Sequence, residues 1–148
     1  MYKKGQASME FLMTYGWAIL VVLVAIGALA YFGVLSPGKF LPESCVIAPG
    51  YSCNDFIVKA DGSATLIIQN GAKATLNTIS ASIGAVSGTC VPATGLAVGS
   101  ATTCSWAAAA LATGTAGERF KSAVSFSYIE AGSTISHTKT GDLVVKYE

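Results

Sequence analysis

The sequence predicts an α+β protein: a long hydrophobic α-helix at the N-terminus, followed by an antiparallel β-sandwich-like head. Three observations carry this reading. A 25-residue run from Phe11 to Leu35 contains no charge. The composition then changes near Lys39, after which Gly, Ser, Thr and Ala dominate. That second part holds short β-branched or aromatic runs with turn signals between them. The expected division is a basic stretch at 1–5, an apolar helix at 6–36 and a β-rich domain at 39–148.

As a helix, Phe11–Leu35 spans about 37 Å, enough to cross a hydrocarbon core of about 30 Å. It is apolar all round, so it has no solvent face and needs lipid or protein around it. Ser36-Pro37-Gly38 is expected to end it, because Pro cannot continue a helix and Gly permits a turn. Gly16, Gly27 and Gly33 fall inside the run, each costing up to about 1 kcal/mol relative to Ala. They allow bending, or close approach of another backbone. No G-x-x-x-G spacing occurs, so that dimerisation pattern has no support. Tyr15, Trp17, Tyr31 and Phe32 stand towards the two ends, where interfacial anchoring accounts for them.

The N-terminus admits three readings. In the first it is a cleaved secretory signal, with Lys3 and Lys4 as its basic region and Ala28-Leu29-Ala30 as a small-x-small cleavage site. The apolar stretch is long for such a signal, and Glu10 stands between the lysines and that stretch. In the second it is a plain transmembrane anchor with Lys3 and Lys4 on the cytoplasmic side. That explains the length but gives no reason for Glu10 or for Gly5-Gln6-Ala7-Ser8.

The third reading covers the whole segment. Lys3-Lys4-Gly5 followed by Gln6-Ala7-Ser8-Met9-Glu10-Phe11 and an apolar helix resembles archaeal type IV pilin-like proteins with a class III signal peptide. Their precursors carry a short basic leader, a Q-x-S-x-E-[FY] pattern and a hydrophobic helix. Gln6, Ser8, Glu10 and Phe11 fill every fixed position of that pattern. The resemblance covers about 35 residues and implies cleavage by a prepilin peptidase between Gly5 and Gln6. It also implies membrane storage, a pilus assembly machinery, a helical homo-oligomeric filament at the cell surface and a pilin outline of helical stalk and β head.

Such a cut leaves the helix attached and removes both lysines, which hold that end in the cytoplasm. It frees an amine on Gln6, with an ordinary pKa of about 7.7–8. Glu10 becomes the fifth residue of the mature chain. A carboxylate beside an apolar helix is costly to bury unpaired. The resemblance supplies a partner, the N-terminal amine of a neighbouring subunit, which would set the register between subunits. A second account makes Glu10 a first-turn carboxylate that favours the helix dipole, in a helix starting near Gln6 or Ser8. An N-terminal Gln also cyclises with loss of ammonia, which would abolish the positive amine.

The four cysteines, Cys45, Cys53, Cys90 and Cys104, all lie beyond the apolar run. An even number in an exported region suggests disulfides, and three connectivities are possible. The local pairs Cys45–Cys53 and Cys90–Cys104 are expected. Closing a loop of about 15 residues stabilises a fold by about 3 kcal/mol on chain-entropy grounds. The alternative, a four-Cys zinc site, usually brings ligands in close C-x₂₋₄-C pairs, a spacing absent here.

In the head, Asp55–Lys59 and Ala64–Asn70 flank Ala60-Asp61-Gly62-Ser63, which reads as a hairpin turn. Leu76–Ile83 alternates only roughly. Ala123–Ile129 alternates cleanly, with Val124, Phe126 and Tyr128 on one face. Thr134–Thr138 and Leu143–Tyr147 are expected as separate strands around Thr140-Gly141-Asp142. Trp106–Leu111 suits strand or helix. Spacing and turn signals together suggest an antiparallel sandwich.

Charged residues make up 11% of the chain and hydrophobic ones 52%. From Lys39 onward seven Lys/Arg balance seven Asp/Glu, so there is no basic surface for nucleic acid. His137 is the only histidine; no motif supplies a nucleophile or orienting acid for it, and no catalytic site or cofactor is expected. Asn54, Asn70 and Asn77 all fail the N-x-[ST] rule. What the resemblance implies for function is a structural role: a pilin-like subunit of a surface filament serving adhesion. The alternatives are a membrane-anchored β-domain that binds a ligand, and a minor pilin or archaellin-like subunit.

Overall fold

The computed structural model describes residues 3–33 and 42–148. The chain divides into a helical unit, Met1–Leu41, and a β unit, Pro42–Glu148.

Among the described residues the helical unit holds one helix, α1 (Lys3–Tyr31). It starts before the expected Gln6 or Ser8, because Lys3-Lys4-Gly5 contains no proline and continues the hydrogen-bond ladder. It ends before the expected Ser36. Gly33 adopts φ +71°, the left-handed conformation that closes helices, and its N–H donates to the Ala30 carbonyl at 3.1 Å. Gly33 thus terminates the helix rather than bending it. Ser36-Pro37-Gly38 lies outside the described residues.

The β unit contains β1 (Ser44–Val46), β2 (Tyr51–Val58), β3 (Ala64–Asn70), β4 (Leu76–Ile83), β5 (Val86–Ser87), β6 (Thr89–Val91), β7 (Ala101–Trp106), β8 (Arg119–Glu130) and β9 (Ser136–Lys146). They form two sheets, in the orders β1-β9-β8-β4-β5 and β2-β3-β7-β6. Every ladder between these strands is antiparallel. The expected α+β architecture is therefore present.

Alternation builds the core. Ala64, Leu66 and Ile68 of β3 face inward while Thr65, Ile67 and Gln69 do not. Thr102, Cys104 and Trp106 do the same on β7, and Val124, Phe126 and Tyr128 on β8. Tyr51 of one sheet packs on Phe126 and Tyr128 of the other, with ring centroids 5.2 and 5.0 Å apart. The rough alternation of β4 has a cause: a bulge between Asn77 and Ser80, with Thr78 at φ +51°. The extra residue shifts the pattern by one, so Leu76, Ile79, Ala81 and Ile83 are the buried positions.

The β2–β3 hairpin closes where Lys59 N–H donates to the Ser63 carbonyl at 2.9 Å. Asp61 accepts from the Ser63 N–H and hydroxyl at 2.8 and 2.6 Å. Those bonds, with Lys59 a lesser influence, hold its carboxyl below the usual range. β2 begins at Tyr51, four residues before the expected start, because its first half pairs with Ile68–Asn70.

Thr140-Gly141-Asp142 is not a turn. All three pair with β8 inside the continuous strand β9. Gly141 is there because β1 and the residue after it cross close above. A Cβ at 141 would overlap the Val46 carbonyl oxygen and come within 2.8 Å of Ile47 Cα. Trp106 ends β7, and its indole N–H donates to the Val86 carbonyl at 3.0 Å; Ala107–Leu111 leaves the sheet in turns.

Among the described residues, the buried Asn70 and Thr102 side chains are satisfied. Asn70, fully buried, donates to the Ala74 and Leu96 carbonyls and accepts from the Ala72 N–H. The Thr102 hydroxyl donates to the Pro92 carbonyl at 2.8 Å. The buried Tyr51 hydroxyl has no hydrogen-bond partner at bonding distance among the described residues. Burial pushes its ionisation well above the usual phenol range, with Tyr128 and Glu130 adding to the effect.

Two predictions follow from this packing. Gly141→Ala should destabilise the β unit by about 3 kcal/mol, the upper range for overpacking, read from denaturant unfolding. Tyr51→Phe removes a hydroxyl whose hydrogen bond is unmade, so stability near pH 7 should hold or rise by up to about 1 kcal/mol. The Tyr51 phenol ionises at higher pH in the folded state than its unfolded value near 10. Its contribution is complete below pH 10 and lost as pH rises through the folded value. A pH series of melting temperatures from 8 upward should therefore fall less steeply for Tyr51→Phe than for the parent.

Candidate functional site

The segment Gly5–Tyr31 is 27 residues long, and its most apolar stretch has no part buried within the chain. Among the described residues it is the one helix long and apolar enough to cross a membrane. Its large side chains stand out: Met13 is 81% exposed and Tyr31 88%. A helix with this surface needs a medium other than water.

Gly5 and Gln6 lie in the first turns of α1, and both are exposed. Nothing crowds Gly5 within 4 Å of an added Cβ. The first N–H groups of a helix lack intrahelical partners, so local unwinding at this bond costs little. Ser8, Glu10 and Phe11 follow on the same helix, also exposed.

Helical rotation of about 100° per residue divides these positions between two faces. Gln6, Glu10 and Thr14 fall one above another at i, i+4 spacing. Phe11 and Tyr15 fall on the far side, with ring centroids 4.8 Å apart. There they open a groove continued by Ala18, Ile19, Val22 and Leu23. The i, i+4, i+7, i+11 spacing from Phe11 to Val22 was the sequence signal for this groove; the sequence reading, which treated the helix as uniform, missed it.

The Thr14 hydroxyl donates to the Glu10 backbone carbonyl at 2.8 Å. Neither an ion pair nor a hydrogen bond engages the Glu10 carboxylate among the described residues. With α1 beginning at Lys3, Glu10 lies seven residues into the helix and no acidic residue occupies the first turn. In the uncut chain Glu10 therefore has no first-turn role at the positive end of the dipole, an effect confined to that turn.

The cysteines form the expected pairs, Cys45–Cys53 and Cys90–Cys104. Cys90 and Cys104 are cross-strand partners on β6 and β7, and both are buried. Both bonds consume the thiolates a zinc site would need. Among the described residues no group of three or more His, Cys, Asp or Glu is placed to hold a metal ion. His137 stacks on Tyr128, with ring centroids 5.6 Å apart, at the half-buried start of β9.

No family description, curated protein or solved structure matches this chain. What fold and site define is a class: a disulfide-bonded β domain preceded by an apolar helix. That helix suggests membrane anchoring or secretion, and the two disulfides suggest an extracellular, oxidising location. Leu20→Arg near the centre of α1 should cost membrane insertion about 3 kcal/mol. The inserted fraction in a translocation assay with microsomal or native membranes measures this.

Proposed function

We propose that this chain is a structural subunit of an archaeal type IV pilus-like surface filament serving adhesion, assembled through α1. The observation that supports it best is Glu10. It is the one charged residue between Gly5 and Tyr31, on a helix whose large apolar side chains are exposed, and it stands inside Gln6-Ala7-Ser8-Met9-Glu10-Phe11. A simple anchor has no need of a carboxylate there.

In this reading a prepilin peptidase cuts between Gly5 and Gln6, and Lys3 and Lys4 leave with the leader. The helix waits in the cytoplasmic membrane with Glu10 at the interface. The assembly machinery then transfers it into a bundle of identical helices, where protein replaces lipid around the groove at Phe11, Tyr15, Ala18 and Val22. Glu10 enters that bundle opposite the N-terminal nitrogen of a neighbouring copy. Such a contact fixes register, because a one-turn slip leaves the carboxylate buried without a partner. The disulfide-bonded heads form the outer surface.

A membrane-anchored binding domain shares the helix and the disulfides but requires no cut at Gln6. Glu10→Ala separates the two readings. Processing should continue, while assembly should lose about 1–3 kcal/mol per broken contact, which repeated along a filament is enough to abolish visible filaments. Electron microscopy of sheared surface material, with immunoblotting for the shortened chain, reads both outcomes. Wild-type filament yield from the variant would defeat the filament reading.

A further inference from the structure

We infer that Gln6, once it becomes the N-terminus, is converted to a pyroglutamyl lactam, so that the partner offered to Glu10 is a neutral N–H and not an ammonium. The inference rests on the reading that the chain is cut between Gly5 and Gln6, and it specifies the chemistry of that same site.

Three features lead to it. First, glutamine is the one common side chain that places an amide carbon five atoms round from its own α-nitrogen, and residue 6 is glutamine. Second, an N-terminal amine has an ordinary pKa of about 7.7–8, so an appreciable share is unprotonated and nucleophilic near neutral pH. Third, Gln6 is exposed and sits at the beginning of α1. There the first backbone nitrogens have no intrahelical acceptor to occupy them. The side chain is therefore free to fold back over its own amine.

The step balances without an oxidant or a co-reactant. The α-nitrogen attacks Cδ of the side-chain amide, a new C–N bond closes the five-membered ring, and the original Cδ–NH₂ bond breaks. The amine gives up a proton to the leaving group, which departs as ammonia. The ring nitrogen keeps one hydrogen and no longer takes up a proton.

Burial supplies the consequence. Moving an ammonium out of water into an apolar bundle is costly, whereas a lactam N–H carries no charge. It still donates one hydrogen bond. Glu10, one turn further along the same face, then needs only to be an acceptor. A side-chain amide oxygen at position 10 also accepts such a bond, whereas opposite an ammonium it would leave the positive charge uncompensated.

The test is the intact mass of mature protein taken from native cells. Lysis is carried out in denaturant with an amine-capping reagent, so that ring closure during handling is excluded. The expected result is an uncapped N-terminus, with a chain that begins at residue 6 and is lighter than its sequence by one ammonia. A chain beginning at residue 6 with a capped or methylated amine overturns the lactam and leaves the processing intact. A chain that retains residues 1–5 overturns the processing reading and the lactam with it.

Discussion

An apolar helix with no buried stretch among the described residues sets the terms for this molecule. Every large side chain from Met9 to Phe32 faces outward, and no charge appears after Glu10 until Lys39. Water is the wrong solvent for such a surface. Lipid satisfies it, and so does a set of like helices. What separates the two environments is the treatment of polar groups. At a membrane surface Glu10 keeps its water, while inside a helical bundle it must find a donor. The lone carboxylate is thus harmless in one setting and selective in the other.

The β unit has a core of its own. Its core runs from Ile47 to Tyr147 and draws on both sheets. Interlocking rings of Tyr51, Phe126 and Tyr128 join the sheets at one end. Phe120 meets Tyr147, whose hydroxyl donates to the Ala112 carbonyl. Asn70 does for the loops what a ladder does for strands, tying residues 72, 74 and 96 to one buried amide. Three of the four edge strands, β1, β5 and β6, have three residues or fewer. The long one, β2, carries a bulge and a disulfide. Short or irregular edges offer little template for uncontrolled pairing.

Much of this was legible because period and punctuation agree locally. β3 and β4 match their sequence runs end to end, and Val124, Phe126 and Tyr128 share a face as their alternation requires. The local disulfide pairs were expected among three possible connectivities, and it is the structure that selects them. Three things were hidden because long-range contacts decide them. Gly141 looks like a turn residue; only the passage of Val46 and Ile47 overhead shows why a strand needs it. β7 carries two threonines, a serine and a cysteine and is weak by itself; pairing with β3 and β6 makes it a strand. The end of α1 turned on Gly33, not on the more conspicuous Pro37. At the site, the motif residues and their order were plain. The two-faced arrangement, with Gln6 and Glu10 away from the Phe11 groove, needed the helical phase.

The Cys45–Cys53 bond also governs how the β unit bears load. The chain enters it at Pro42, and any pull along the backbone reaches β1 first. β1 is three residues long and hydrogen-bonded to β9, so by itself it would peel away one pair at a time. At Cys45, however, the tension divides. Part continues into the ladder with β9, and part crosses the sulfur bridge into β2 of the opposite sheet. The residues between the two cysteines are bypassed and kept slack. A weak three-residue attachment is thereby backed by a covalent strap, and extension must disturb both sheets together before the domain can unravel.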